Sequence, residues 1–284
     1  MTLDGLPPLG ESLAAEGLLA DKGLGQHFLL DLNICRKIVR LAGPVEDQAV
    51  IEVGPGPGGL TRALLEAGAR VIAIERDARF LPVLRGLERA AAGRLTLLQA
   101  DALDVDEIDV LREANVPLDA SIISNLPYNI GTPLLIKWLI GRFRPSRMTL
   151  MFQKEVAERI IAATGSEAYG RLAVLCQALC QVRVVLDLPP RAFSPPPRVS
   201  SAVVTLSPLA GRPDEDDLAA LQTVTRFAFG QRRKMLRSAL RDIGGETLCE
   251  AGGIDPAVRA ETVPIDGFLR LAKAWRRNQA GGAN

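Results

Sequence analysis

An asparagine, a proline and a tyrosine stand together in the stretch Asn125-Leu126-Pro127-Tyr128, directly after an apolar run that ends at Ser124. The side-chain oxygen of Asn125 and the backbone carbonyl of Leu126 can each accept a hydrogen from an amino group. Two such acceptors would hold the poorly nucleophilic amine of a base near a pyramidal geometry, with its lone pair aimed at an electrophilic carbon. Pro127 would stiffen the turn, and Tyr128 offers a flat face for base stacking. The stretch predicts transfer of a group to a base amine; a β-turn with a buried tyrosine is the alternative.

Gly54, Gly56 and Gly58 lie between a predicted strand and a predicted helix, in the order VGPGPGGLT. Glycines let the backbone turn tightly and approach a ligand closely, and the first turn of the helix offers unpaired N–H groups. Glu75 ends the next predicted strand and can accept hydrogen bonds from ribose hydroxyls. Asp101 ends the strand after that and can accept a hydrogen bond from the exocyclic amine of adenine. These residues indicate a nucleoside cofactor at the carboxyl edge of a doubly wound sheet.

The glycine spacing distinguishes two kinds of nucleoside cofactor. The order is G-x-G-x-G-G, whereas the dinucleotide fingerprint is G-x-G-x-x-G. Pro55 and Pro57 also remove two N–H groups that a pyrophosphate would bind. A nicotinamide dehydrogenase is therefore the weaker alternative, and S-adenosyl-L-methionine, which carries no phosphate, fits better. A glycine turn that only packs a strand against a helix is the structural alternative.

A second aromatic ring, Phe193, precedes three prolines in the stretch RAFSPPPRVSS. The prolines would make this loop rigid, so Phe193 could close on a flipped adenine from the side opposite Tyr128. The sequence thus predicts a base held between two rings. The alternative is a surface loop in which Phe193 is anchored in the core.

Seven short apolar runs are predicted strands: Ala49–Val53, Val71–Glu75, Leu95–Leu98, Ala120–Ser124, Met148–Phe152, Val182–Leu188 and Ala202–Leu206. Helical patterns over residues 59–67, 78–91, 105–113 and 133–140 separate the first five, which indicates right-handed βαβ units in a parallel sheet. Further helices are predicted over residues 154–163 and 171–180. The last two strands have no helix between them and should pair antiparallel. The predicted fold class is α/β: a Rossmann-like, doubly wound fold with a mostly parallel seven-stranded sheet.

The composition changes along the chain and predicts three parts. Residues 1–25 are rich in glycine and proline and are predicted as an arm with one short helix near residues 11–19. Residues 26–207 form the predicted Rossmann-like domain. The stretch SPLAGRPDEDD marks a linker, after which residues 208–284 show helical patterns alone, over residues 218–229, 232–242 and 267–276. This last part is predicted as a small all-helical, RNA-binding domain.

Basic side chains cluster in residues 226–241, where no acid occurs. On a helix they face away from the apolar side chains Met235, Leu236, Ala239, Leu240 and Ile243, except for Arg232 at the helix start. A basic face on a chain of net charge +1 is typical of contact with a phosphate backbone, although a solvated helix face is the plainer alternative. The predicted RNA-binding residues are Arg226, Arg232, Arg233, Lys234, Arg237 and Arg241. Arg142, Arg144 and Arg147 are predicted to extend the patch.

The overall composition, with 48% hydrophobic and 24% charged residues, is that of a globular protein. Its four cysteines are scattered without a C-x-x-C pair, which favours buried thiols in a reducing cytoplasm over a metal site. The sequence shows neither a signal-peptide pattern nor an apolar run long enough for a membrane helix. We therefore predict a cytoplasmic protein without a metal.

The motifs in their order resemble those of the ribosomal RNA adenine N6-dimethyltransferases, and most closely the branch acting on bacterial small-subunit (16S) rRNA. The matching stretches span roughly residues 23–275. They are GQHFLLD, EVGPGPGGLT, VIAIERD, QADAL, NLPYNIGTP, MFQKEVAERI, AYGRLAVL, FSPPPRVSSAVV and FGQRRKMLRSAL. The resemblance implies a Rossmann-like, S-adenosylmethionine-dependent methyltransferase fold with a helical C-terminal domain. It also implies two successive methylations on each of two adjacent adenosines in a hairpin near the 3′ end of that RNA. The implied substrate is RNA within a pre-assembled small subunit, and we expect a monomer.

The resemblance also implies roles for individual residues. Gln26, His27 and Leu29 would line the methionine end of the cofactor, and Gly54 and Gly56 would form its floor. Glu75 would hold the ribose, Asp101 and Ala102 the adenine, and Asn125 would touch both cofactor and target amine. Two alternatives remain open. One is the related large-subunit rRNA adenine methyltransferase of macrolide resistance; the other is a methyltransferase-fold assembly factor that acts mainly by binding.

Overall fold

The structure is a computed structural model that describes residues 6–11, 17, 26–231 and 233–281. The chain forms two compact units. One comprises Met1–Ala157 and Arg183–Leu206, and the other comprises Glu158–Val182 and Ser207–Asn284. The predicted first domain ran from residue 26 to 207 without a break, whereas this division groups Glu158–Val182 with Ser207–Asn284. The short helix predicted near residues 11–19 falls largely outside the described residues.

The central sheet of the first unit confirms the predicted α/β fold. Its strands are β2 (Ala49–Val53), β3 (Arg70–Glu75), β4 (Leu95–Gln99), β5 (Ser121–Asn125), β6 (Met148–Gln153), β7 (Cys180–Leu188) and β9 (Ser201–Pro208). They lie in the order β4-β3-β2-β5-β6-β9-β7. Parallel pairing joins β2 to β3 and β5, β3 to β4, and β5 to β6, whereas β9 is antiparallel to β6. All five residues of β2 are buried, as expected of a parallel strand covered on both faces.

Helices lie between the parallel strands, or directly after the last of them, where the periodicity predicted them. They are α2 (Gly59–Glu66), α3 (Leu81–Ala90), α4 (Glu107–Glu113), α5 (Gly131–Ile140) and α6 (Lys154–Ile160). An additional helix, α1 (Leu32–Ala42), precedes β2 and was not predicted. It begins at Asp31, whose carboxylate accepts a hydrogen bond from the backbone N–H of Asn33.

Two very short strands, β1 (Phe28–Leu29) and β8 (Phe193–Ser194), form a separate antiparallel sheet. Leu29 lies opposite Phe193, and Phe28 lies opposite Ser194. The sequence predicted neither strand, because two residues are too few to show an alternating pattern. This small sheet joins the segment before α1 to the proline-rich loop between β7 and β9.

The second unit is helical apart from strand ends and has its own apolar core. Its helices are α7 (Arg171–Leu179), α8 (Glu215–Gly230), α9 (Leu236–Ala239), α10 (Gly245–Ala251) and α11 (Ile265–Gly281). Side chains of α7, including Val174 and Leu175, pack with Leu221 of α8 and Leu271 of α11. This packing is the physical reason that the segment containing α7 belongs to the helical unit.

The continuous helix predicted over residues 232–242 is wrong. Within residues 233–242, which the structure describes, only the four residues of α9 are α-helical, and a 3₁₀ turn over Arg241–Ile243 follows them. The backbone N–H groups of Leu236 and Arg237 instead donate to the carbonyls of Val258 and Pro256. Met235, predicted on the apolar face, is 45% exposed. Pairing with this distant segment overrides the local helical preference.

Within the described residues, no helix is both long enough and apolar enough to cross a membrane. All four cysteines are buried free thiols.

Candidate functional site

A cavity opens where β2, β3 and β5 end, between the glycine loop and the segment that leads into β1. Carboxyl ends of parallel strands share one edge of a sheet, which is why residues far apart in sequence meet there. All nine residues predicted to bind a cofactor line this cavity: Gln26, His27, Leu29, Gly54, Gly56, Glu75, Asp101, Ala102 and Asn125. Leu126, Pro127 and Tyr128 line it as well. The structure therefore brings the predicted cofactor and target residues into one cavity.

The glycine loop has a shape that other residues would not tolerate. Gly54 and Gly56 have φ angles of 68° and 54°, in the left-handed region. A Cβ on Gly56 would lie 2.9 Å from the ring of Phe28, and one on Gly54 would lie 3.1 Å from Pro127. The loop is thus in direct contact with the turn that carries Asn125 and Tyr128.

Glu75 has a role in the glycine loop that sequence reasoning missed. Its carboxylate accepts hydrogen bonds from the backbone N–H of Gly56, at 3.0 Å, and from that of Asp77, at 2.8 Å. Burial raises the pKa of Glu75, and these backbone donors oppose the rise. Each oxygen has a second lone pair, so the carboxylate can order the loop and still accept a ribose hydroxyl.

Asp101 and Gln26 are held by neighbouring charged groups. The Asp101 carboxylate lies 3.0 Å from the guanidinium of Arg76 and accepts the backbone N–H of Leu103. The Gln26 amide donates to Asp77 at 2.9 Å. The hydrogen bond from Arg79 is the main reason that the pKa of Asp77 is lowered to about 2, so Asp77 is ionised at neutral pH. These contacts fix the positions of both predicted cofactor residues.

Asn125 is oriented by the backbone of the segment that precedes β1. Its Nδ2 donates a hydrogen bond of 3.1 Å to the carbonyl of His27. Since a carbonyl only accepts, this bond fixes which end of the amide is the oxygen. Oδ1 then makes no hydrogen bond with any residue that the structure describes, and it remains available as an acceptor at the cavity.

Tyr128 is held by one contact of its hydroxyl and one contact of its ring. The hydroxyl lies 2.5 Å from Oγ of Ser201, and the ring centroid lies 5.3 Å from that of His27, at an interplanar angle of 33°. His27 in turn donates from Nδ1 to the carbonyl of Pro195 at 2.8 Å, which requires the proton on Nδ1. Burial raises the pKa of Tyr128, so its hydroxyl stays protonated at neutral pH.

Phe193, predicted to form the second face of a base sandwich, has its side chain in the apolar core of the first unit. Phe193 is 4% exposed, belongs to the apolar core of the first unit and does not line the cavity. Its pairing with Leu29 in the small sheet holds the ring inward. The ring beside Tyr128 is that of His27.

Glu52 is a cavity residue that sequence reasoning did not identify. It lies in β2, is 1% exposed, and its Oε2 has no hydrogen-bond partner among the described residues. Burial raises the pKa of this carboxyl to about 8, and the nearby Glu75 adds to the rise. An acid in a run as apolar as AVIEV was the only available signal, because burial of a carboxyl without a partner is not visible in sequence.

We expect Glu52→Gln to flatten the pH dependence of stability. Between pH 4.5, the ordinary pKa, and about 8, the unfolded chain loses the Glu52 proton while the folded chain keeps it. The unfolding free energy contributed by Glu52 therefore falls as pH rises through this window, by on the order of a few kcal/mol. Urea denaturation from pH 4 to 9 should show this slope in the wild type and in Glu113→Gln, an exposed control, and lack it in Glu52→Gln. Parallel curves for all three proteins would contradict the account.

The predicted RNA-binding residues of the helical unit are exposed where the structure describes them. Arg226, Arg233, Lys234, Arg237 and Arg241 are exposed, whereas Arg232 lies outside the described residues. Arg241 lies 3.6 Å from Asp242. We call these five exposed residues the basic segment.

The three arginines predicted to extend the patch, Arg142, Arg144 and Arg147, are all exposed. Arg147 donates to the carbonyl of Ala42 at 2.7 Å, which ties the start of β6 to the end of α1. Arg142 lies 3.6 Å from Asp106. Contact of these arginines with RNA stays a prediction.

Comparison with known proteins identifies relatives over nearly the whole chain. The family described as "Ribosomal RNA adenine dimethylase" matches residues 18–276. The chain is 62% identical over 275 residues to the ribosomal RNA small subunit methyltransferase A of Phenylobacterium zucineum, covering 97% of this chain and 95% of the relative.

Two solved structures share the fold. A dimethyladenosine transferase from Plasmodium falciparum is 25% identical, with a TM-score of 0.71, and the match covers 86% of this chain and 96% of that one. The 23S rRNA methyltransferase ErmE is 24% identical, with a TM-score of 0.65 and coverage of 87% and 98%. The likeness to ErmE shows the fold alone.

Proposed function

Because this chain belongs to the ribosomal RNA adenine dimethylase family, we propose that it uses S-adenosyl-L-methionine to dimethylate N6 of two adjacent adenosines near the 3′ end of small-subunit (16S) rRNA. One observation supports the chemistry above all others. Asn125 and Tyr128 line the same cavity as the glycine loop, Glu75 and Asp101. A nucleoside site and an amine-orienting turn therefore meet at one edge of the sheet.

The residues of the cavity fit S-adenosyl-L-methionine. Gly54 and Gly56 allow the left-handed backbone of the loop that lines the cavity, and Glu75, on the same cavity, would accept the ribose hydroxyls. Asp101 and Ala102 would take the adenine, while Gln26, His27 and Leu29 would surround the methionine end. The buried carboxyl of Glu52, with one unpartnered oxygen, suits a cavity for a cationic ligand. When bound, the cofactor supplies a methyl group made electrophilic by its sulfonium.

Two acceptors of this chain orient the target amine so that its lone pair points into the cavity. Oδ1 of Asn125 and the carbonyl of Leu126 each accept one amine hydrogen, which turns the nitrogen lone pair away from the ring and toward the cavity. The bond from Nδ2 of Asn125 to His27 holds this acceptor in place. Tyr128 supplies one stacking face, fixed by Ser201. No strong base is required, since the proton can pass to water after transfer.

The large-subunit alternative shares this cavity chemistry, so the RNA substrate decides between the two. The triple-proline stretch FSPPPRVSSAVV and the basic stretch FGQRRK favour the small-subunit enzyme. Purified small and large ribosomal subunits should be incubated with the protein and the cofactor, and the products mapped by primer extension. We expect stops at two adjacent adenosines near the 3′ end of the small-subunit RNA. Modification in large-subunit RNA alone would overturn the proposal.

The assembly-factor alternative is compatible with an active enzyme and concerns a second role. The intact turn from Asn125 to Tyr128 argues against lost activity. An Asn125→Ala protein that restores subunit assembly in a strain lacking the enzyme would establish the second role.

We propose a monomeric protein that acts on pre-assembled small subunits in the cytoplasm. In that reducing compartment its four buried thiols stay reduced.

Glu75→Ala is expected to weaken S-adenosyl-L-methionine binding by about 1.5–3 kcal/mol, the value of a hydrogen bond to a charged group. The variant loses both the acceptor for the ribose and the tether on the N–H of Gly56. Calorimetric titration with the cofactor measures the effect. The matched control is Glu66→Ala, which removes an exposed carboxylate of α2 that is paired with Arg36 of α1. Equal affinities for Glu75→Ala and the wild type would refute the ribose assignment.

Neutralising part of the basic segment is expected to weaken RNA binding and its salt dependence. Arg233→Gln with Lys234→Gln should lower the slope of log K against log salt by about 0.7–0.9 for each removed charge. Filter binding of small-subunit RNA between 50 and 300 mM salt, roughly the range in which this slope is measurable, gives the slope. Arg270→Gln, whose guanidinium is paired with Asp266 in the same unit, is the control. An unchanged slope would show that the basic segment does not touch phosphates.

A further inference from the structure

The side chain of Lys137, on α5, forms hydrogen bonds with the segment that would hold the cofactor's adenine. Its ammonium donates to the carbonyl of Ala102 at 2.8 Å and to the carboxylate of Glu107 at 2.8 Å. A third hydrogen bond runs to the carbonyl of Val105. Since an ammonium has three hydrogens, all of its donors are used within one stretch of six residues.

The partner carboxylate is itself fixed in place. Glu107 is 4% exposed, and the indole N–H of Trp138 donates to the same Oε1 at 2.6 Å. Trp138 is 1% exposed and adjacent to Lys137 on α5. Two neighbouring side chains of one helix therefore converge on one buried carboxylate, which leaves the ammonium little freedom to choose other partners.

This contact joins the two halves of the cavity. Ala102, whose carbonyl accepts from Lys137, lines the cavity beside Asp101. Helix α5 begins at Gly131, directly after the turn that carries Asn125 and Tyr128, and the N–H of Gly131 donates to the carbonyl of Pro127. The amine-orienting turn and the adenine segment are thus connected through one helix and one ammonium.

We propose that Lys137 is a positioning residue that sets the adenine recognition of the cofactor site by clamping residues 101–107 to α5. This inference rests on the proposed function, because it takes Asp101 and Ala102 as the groups that face the adenine. Lys137 does not line the cavity and so acts only through the backbone that it holds. Loss of Lys137 should reduce the preference of the site for adenine over other bases while leaving the ribose and methionine contacts intact.

The test measures base discrimination, a quantity that general destabilisation does not change. Calorimetry gives the Kd of each protein for S-adenosylhomocysteine and for S-inosylhomocysteine, in which a carbonyl replaces the adenine amine. For Lys137→Met we expect the affinity for the adenine compound to fall about fivefold, as for one lost neutral hydrogen bond, with little change for the inosine compound. The ratio of the two dissociation constants should therefore shrink by the same factor.

Two further variants test whether a lower ratio comes only from a buried unpaired carboxylate or from the loss of any nearby charge. Lys137→Met with Glu107→Gln removes both charges, so no buried carboxylate is left without a counterion and the fold is spared. Arg142→Met removes an exposed ion pair to Asp106, in the same segment, and serves as the matched control. We expect the double variant to show the reduced ratio and Arg142→Met to keep the wild-type ratio.

The outcomes separate the inference from the proposed function. Wild-type discrimination in both Lys137 variants, together with its loss in Asp101→Ala, would overturn the role of Lys137 and leave the adenine assignment standing. A wild type that does not discriminate, or an Asp101→Ala that discriminates normally, would overturn both. A reduced ratio in both Lys137 variants and in Asp101→Ala supports the inference.

Discussion

Asn125→Ala is expected to slow methyl transfer to small-subunit RNA by about 10²–10³-fold, the usual loss when one preorganised hydrogen-bonding group is removed from an active site. In the wild type, Nδ2 of Asn125 is anchored on the carbonyl of His27, which directs Oδ1 to the cavity. Alanine removes the acceptor without adding charge. Single-turnover transfer of a labelled methyl group measures the effect, separately from product release.

Cofactor binding should largely survive the same substitution, because the glycine loop, Glu75 and Asp101 remain. Calorimetry with S-adenosyl-L-methionine checks this point. Asn33→Ala, an exposed asparagine on α1, is the control and should transfer methyl groups at the wild-type rate. Turnover by Asn125→Ala within about twofold of the wild type, well below the loss of a catalytic hydrogen bond, would contradict the orienting role.

Tyr128 and Phe193 are expected to respond in opposite ways to truncation. Tyr128→Ala should lower kcat/KM for the RNA by about 5- to 150-fold, the equivalent of 1–3 kcal/mol for one stacked base, with little loss of stability. Phe193→Ala should lower the unfolding free energy by about 3–5 kcal/mol, because its ring is buried in the core beside Leu29. Guanidinium denaturation and methylation kinetics on the same proteins measure both.

Conservative substitutions decide between packing and stacking at each position. Tyr128→Phe keeps the ring and loses only the bond to Ser201, so it should retain most of the activity. Phe193→Leu keeps an apolar side chain in the core and should restore most of the stability and turnover that Phe193→Ala loses. A stable Phe193→Leu protein that fails to methylate RNA would instead show that the Phe193 ring reaches the base.

The sheet could be predicted because its signals are local. Each buried parallel strand is a short apolar run, and each connecting helix has its own periodicity, so all seven strands of the sheet were found within two residues of their ends. The neighbouring positions of β7 and β9 in the sheet followed from the missing helix between them. The cavity followed in turn, since strand ends that carry Gly54, Glu75, Asp101 and Asn125 must meet at one edge.

The features that escaped prediction depend on contacts between distant segments. The two-residue strands β1 and β8 exist because they pair with each other, and neither has a pattern of its own. Pairing of residues 235–237 with 256–259 shortens the helix predicted over residues 232–242. The burial of Phe193 was not predicted for the same reason, because the prolines that follow it do not reveal which way its ring points. The roles of Glu52 and Lys137 depend on burial and on partners about 30 residues away or on other strands.

Nucleoside analysis of methylated small subunits tests the central chemistry most directly. Small subunits purified from cells lacking the enzyme should be incubated with the protein and S-adenosyl-L-methionine carrying a labelled methyl group, and their RNA then digested to nucleosides and separated by mass spectrometry. The account predicts label in N6,N6-dimethyladenosine, and about 10²–10³-fold slower labelling in the parallel reaction with Asn125→Ala. Label on a ring nitrogen, on a ribose, or on adenosine to the same extent with Asn125→Ala would contradict it.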